Sequence, residues 1–132
     1  MDENSFGALY RGSSRQMVGV TYALCGDLAE AQDCVQEAFT RAWLERRTLE
    51  RHPNPAAWVQ LTALRLAVSR WRRMRTADRV LRRVPLPPPV GEPDALHVDV
   101  VRALGHLPER TRTVVVLHYL VDCERQSAVE GQ

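Results

Sequence analysis

The chain has 132 residues, 45% of them hydrophobic and 26% charged, with a net charge of only +2. That composition excludes disorder along the whole length and allows one domain, or two small ones joined by a linker. The modest net charge hides a local asymmetry: all 18 basic residues are arginine, and eight of them fall between Arg65 and Arg83, where Asp78 is the sole acid. Arginine gathered on one segment is the electrostatic footprint of a nucleic-acid contact.

Residues 5 to 25 carry Phe6, Leu9, Met17, Val20 and Leu24 at helical spacing, which predicts a first amphipathic helix. Gly7, Gly12 and Gly19 each weaken it by about 1 kcal/mol relative to alanine, and the expected break lies near Gly12 to Ser14. Gly26 supplies the terminator. Asp27 then starts a second helix, with Glu30 three residues on completing a pattern like a capping box. The apolar stripe of this helix is Leu28, Ala31, Val35, Ala38, Phe39 and Ala42, which leaves Asp33, Gln36, Glu37 and Thr40 on another, acidic face. Read alone, that face is solvated surface, with Glu37 and Arg41 forming an i,i+4 pair of about 0.3–0.5 kcal/mol.

Arg46 to Asn54 reads as a polar connector, and Asn54-Pro55 marks the next start as an N-cap followed by proline at the first helical position. In this third helix Ala57, Leu61, Leu64, Val68 and Trp71 form the expected core stripe. Trp58, Thr62, Arg65, Ser69, Arg72 and Arg73 turn toward a cationic, partly aromatic face. Guanidinium groups pair with phosphate and an aromatic wall stacks with an unpaired base, which is what a strand-opening surface requires. Trp58 suits a packing anchor equally well, and one ring can serve both roles.

Val84 to Pro93 contains Pro85, Pro87, Pro88, Pro89 and Pro93, so neither a helix nor an inner strand can cross it and a linker is expected. From Asp94 helical spacing resumes through Leu96, Val100, Val101 and Leu104, pauses around Gly105, and restarts at Leu107-Pro108-Glu109-Arg110. Val114 to Leu117 is β-branched enough for a strand, but its helical surroundings predict a helix.

Cys25, Cys34 and Cys123 have no C-x-x-C spacing and read as reduced thiols in the cytoplasm. His52, His97, His106 and His118 show no ligand spacing. No phosphate-cradling glycine loop, H-E-x-x-H or nucleophile elbow occurs. The sequence therefore predicts no catalysis, no cofactor and no metal. The acidic N-terminus is followed by no sustained apolar run, so neither a signal peptide nor a membrane span is expected.

Asp33-Cys34-Val35-Gln36-Glu37-Ala38-Phe39-Thr40-Arg41-Ala42-Trp43, followed by Asn54-Pro55-Ala56-Ala57-Trp58 and by Arg72-Arg73, resembles the second conserved region of bacterial RNA polymerase sigma factors. The nearest group is the short extracytoplasmic-function (ECF) type of the sigma-70 family. Leu107 to Asp122 resembles the start of the fourth region. The resemblance implies an all-α protein: a helical region-two domain over 1–83, a proline-rich linker over 84–93, and partial region-four helices over 94–132.

It further implies core RNA polymerase as partner, held at the clamp helices of the largest subunit by Asp33, Gln36 and Glu37. Trp58, Arg65, Arg70, Arg72, Arg73 and Arg75 are implied to face the non-template strand of the minus-ten promoter element and help melt it. Family members carry asparagine where this chain has Arg65 and an acid where it has Ser69, so the role carries over and the identity of the captured base does not. An anti-sigma factor is a further partner that the family allows. After Asp122 the family continues into a helix-turn-helix that reads the minus-thirty-five element, whereas Cys123 to Gln132 offers no such pattern. A complete second DNA reader is therefore not expected. That keeps open a different class of function, a module that binds core polymerase or an anti-sigma factor without initiating transcription.

Overall fold

Each long helix begins where the sequence supplies an acceptor for its first free N–H groups. Helix α1 spans Glu3–Cys25, and the carboxylate of Asp2 accepts from the Ser5 N–H at 2.7 Å. Helix α2 spans Leu28–Leu44, and Asp27 accepts from the Glu30 N–H at 3.1 Å. Between them Gly26 adopts a left-handed φ of 74°, and its N–H donates to the Tyr22 carbonyl, closing α1. The computed structural model describes residues 1–77 and 95–121, with side chains described for 1–73 and 98–118. The expected proline linker and Cys123 lie outside those residues.

Helix α4 spans Pro55–Ala77, and its start is the expected one: Asn54 Oδ1 accepts from the Ala57 N–H at 3.1 Å. Before it comes α3, Arg46–Glu50, one short turn of helix that the sequence presented as connector. Leu49 explains it, because this leucine is only 1% exposed and pins the otherwise polar segment to the core. Beyond the undescribed stretch follow α5, Ala95–Gly105, and α6, Glu109–Val115, which continues into a π-helical segment over Val116–Val121. Val114 to Leu117 is thus helical, and no strand occurs among the described residues. The fold is all-α.

Helices α1, α2 and α4 pack pairwise against one another. Met17, Val20 and Leu24 come from α1; Cys34, Val35, Ala38, Phe39 and Ala42 from α2; Val59, Ala63, Leu64, Leu66 and Ala67 from α4. Phe6 and Tyr10 set their rings edge-on to Phe39, with centroids 6.0 and 4.9 Å away. These contacts hold the N-terminal half of α1 in place, and α1 runs unbroken through Gly12 to Ser14, where a break was expected. Packing of Phe6, Leu9 and Tyr10 on one side and Met17 and Val20 on the other outweighs the weak intrinsic propensity between them.

The buried face of α4 is rotated from the expected one. Leu61 is 39% exposed, while Val59, Gln60, Ala63, Leu66 and Ala67 are buried. Ala63 and Ala67 face the bundle together with Leu66 and with Leu64, which is buried as expected, while Val68 is half-buried against the core. Buried Gln60 donates to Thr21 Oγ1 at 3.4 Å, and Thr21 in turn donates to the Met17 carbonyl at 2.8 Å. Val101 and Leu104 of α5 and Val116 of the π-helical segment join the same cluster, with both elements lying against α1. Helix α6 itself buries no residue. None of the described helices is long and apolar enough to cross a membrane.

Candidate functional site

Two charged surfaces emerge from this packing along α2 and α4, and Arg41 borders both. The first is the outer face of α2. Burial of Ala31, Cys34, Val35, Ala38 and Ala42 on the inner side leaves Asp33 and Gln36 exposed and Glu37 half-buried at the edge. The Gln36 side-chain amide donates to the Tyr10 hydroxyl, tying this face to α1. Glu37 Oε1 accepts from Arg41 Nη2 at 3.1 Å, the pair expected from the sequence.

Arg70 also belongs to this first surface, which differs from the expectation that it joins the other arginines of α4. Its guanidinium reaches back to α2, donating through Nη1 to Asp33 Oδ2 and through Nη2 to Glu37 Oε2. Glu30 Oε2 stands 3.7 Å away. The hydrogen bond to Asp33, more than any other influence, raises the guanidinium's affinity for its proton. Arg70 follows Ser69 by one residue, so its side chain leaves α4 in a different direction from Ser69 and reaches the carboxylates of α2. Linear sequence could not disclose which carboxylates it meets.

The second surface is a groove of about 470 Å³ between the C-terminal end of α2 and α4. Trp58, Thr62, Arg65, Ser69 and Arg73 line it from α4, and Arg41, Leu44 and Glu45 line it from α2. Trp58 is half-buried: it packs on the core, as a packing anchor should, and it also borders the groove. Residues 58, 62, 65, 69 and 73 recur at intervals of four and three, which places them on one side of the helix. Arg73 Nη2 donates to Ser69 Oγ at 3.2 Å, and Thr62 Oγ1 donates to the Trp58 carbonyl at 2.8 Å. The sequence placed Arg41 only beside Glu37 and did not single out Leu44. Leu44 is 74% exposed, and an apolar residue following Trp43 at the end of an amphipathic helix was the available signal.

Arg72 lies on the neighbouring flank. Its Nε is 3.4 Å from Glu109 Oε1, and it borders an apolar groove formed by Leu61, Leu64 and Val68 with Val116 and Leu117. Arg112 sets its guanidinium 5.6 Å from the centre of the Trp71 ring nearby. The Arg75 side chain lies outside the described residues. Cys25 and Cys34 flank the first surface from inside, and burial pushes their thiols up to about 12 and about 11 respectively. Among the described residues no group of three or more histidine, cysteine or carboxylate side chains is placed to hold a metal ion.

The arrangement offers an acidic, hydrogen-bonding strip for a basic protein surface and, separately, an aromatic groove edged by guanidinium groups for a polyanion with planar substituents. Comparison with known proteins points the same way. The family model described as sigma-70 region 2 matches residues 9–77. A curated relative from Xanthomonas campestris pv. campestris, described as probable RNA polymerase sigma factor RfaY, is 25% identical over 128 residues, covering 89% of this chain and 32% of the relative. The chain thus spans about a third of the length of that relative. No solved structure matches.

Proposed function

The chain belongs to the sigma-70 region 2 family, and from that premise we propose that it acts in the cytoplasm as an ECF-type sigma factor. In this role it docks on core RNA polymerase and engages and melts the minus-ten element of promoter DNA. Residues 1–83 form the region-two domain, 84–93 the linker and 94–132 part of region four. Asp33, Gln36 and Glu37 are the docking residues, directed at the clamp helices of the polymerase's largest subunit. Trp58, Arg65, Arg72, Arg73 and Arg75 receive the non-template strand. Arg70 leaves the DNA-contacting set because its guanidinium is engaged by α2. The chain is a regulator, not an enzyme.

The observation that carries this reading is the gathering of Trp58, Arg65 and Arg73 around one groove, with Arg41, which also pairs with Glu37, in its lining. An unstacked base can lie against the ring while its phosphates meet arginine, and no duplex groove need be entered. About three phosphate contacts give a single-strand salt slope near −2 on logarithmic axes. Holoenzyme binding to a pre-melted promoter tests it: Arg65→Ala with Arg73→Ala should weaken binding and flatten the slope. Unchanged affinity and slope would leave the groove without a role in DNA binding.

A further inference from the structure

The proposed docking face is spanned by a cation from another helix. We infer that Arg70 is a positioning residue for polymerase docking, a fork from α4 that presets Asp33 for a basic partner group. The inference rests on the reading of α2 as the docking helix and assigns the carboxylates different parts within it.

The division follows from which oxygen atoms are taken. Arg70 occupies Oδ2 of Asp33 and Oε2 of Glu37 at once, one nitrogen of the fork to each. Arg41 holds the remaining oxygen of Glu37 at 3.1 Å. Both oxygens of Glu37 are therefore engaged inside the protein, and its side chain is 36% exposed. Asp33 keeps Oδ1 without a partner among the described residues, and its side chain is 68% exposed. A carboxylate held by one oxygen and open at the other can accept a second charge-assisted hydrogen bond without first being ordered. Asp33 is thus the group that meets the partner's lysine or arginine, and Glu37 is the second anchor that fixes Arg70.

Removing Arg70 has two opposed effects. The face becomes more negative, which favours encounter with a basic surface, but at physiological salt that long-range term is screened within about 8 Å. Asp33 also regains its rotamer freedom, which must be lost again on binding. Loss of order dominates, and it acts on dissociation. Lysine cannot replace the fork, because an ammonium is a point charge and cannot offer two parallel planar donors to separate carboxylates.

The experiment measures association and dissociation of the full chain with core RNA polymerase at physiological salt, with thermal unfolding of each variant as control. Arg70→Ala should weaken binding about three- to tenfold, chiefly through faster dissociation. Arg70→Lys should fall close to it, and it carries the test if the alanine variant does not fold. In an Asp33→Asn background the change at Arg70 should add no further loss, as expected when one residue acts through another. Tighter binding by Arg70→Ala, wild-type dissociation by Arg70→Lys, or an additive loss in the Asp33→Asn background would each overturn the inference. Failure of the underlying docking reading looks different: Asp33→Asn alone would then leave binding unchanged.

Discussion

The two surfaces along α2 and α4 treat charge in opposite ways. On the outer face of α2 the carboxylates are answered from inside the protein, by Arg70 and Arg41, so the surface is ordered and only partly charged. In the groove, Arg65 and Arg73 gather around Trp58 together with Arg41, whose guanidinium also meets Glu37, and Glu45 is the one acid in the lining. A face that is already ordered suits a rigid protein partner, where immobilisation at the interface is a main cost. A groove with excess positive charge suits a polyanion, which releases counterions on binding. Arg70 and Arg73 lie within one turn of α4, yet Arg70 is engaged by Asp33 and Glu37 while Arg73 lines the groove.

The variants that follow break or sharpen this contrast, from the largest effect to the smallest. Phe39 is 3% exposed and met edge-on by Phe6 and Tyr10. Phe39→Ala should cost about 3–5 kcal/mol of folding stability, and thermal unfolding should show docking and DNA binding disappearing together. Trp58→Leu separates the two: it keeps apolar packing but removes the stacking ring. Affinity for a single-stranded minus-ten oligonucleotide should fall by about 1–3 kcal/mol, while binding to core polymerase stays at the level of the unaltered chain.

Asn54→Ala removes the acceptor for the Ala57 N–H at the start of α4. The expected loss is about 1 kcal/mol, read from chemical denaturation. Its interest lies in Trp58, four residues on, because fraying there should weaken oligonucleotide binding before docking.

The last test has no effect at neutral pH. Cys25 and Cys34 ordinarily ionise at 9.0, and burial raises them to about 12 and about 11. A raised thiol pKa means that the folded state retains protons which the unfolded chain releases above pH 9, so stability is intact below that pH and declines as pH rises toward 11 and 12. In a Cys123→Ser background, Cys25→Ser with Cys34→Ala should flatten that alkaline decline. The same folded background should react slowly with a thiol reagent at pH 8. Rapid labelling of both thiols in the folded state would contradict their burial.

Much of this organisation was legible in the residues. Caps at Asp27 and Asn54, the terminating Gly26 and the stripe through Ala31, Val35, Ala38, Phe39 and Ala42 all act as their local chemistry dictates. The rotated face of α4 was not legible, because a reading weighted by large side chains follows Leu61 and Trp71. The bundle instead selects Ala63 and Ala67 for close helix approach and accepts Gln60 because Thr21 meets it. Leu49 was hidden by its polar neighbours. The grouping of Trp58, Arg65 and Arg73 followed from periodicity within one helix, whereas the destination of Arg70 depends on how two helices are set side by side, which no single-helix pattern contains.

On the proposed reading, the outer face of α2 docks the chain on core polymerase independently of the groove proposed to receive DNA. Reversing charge at Asp33→Arg with Glu37→Arg, and following core-polymerase capture alongside far-ultraviolet circular dichroism, tests it most directly. The expected result is a helical double variant that core polymerase no longer captures. A double variant that keeps its helical signal and is captured as well as the unaltered chain would contradict it.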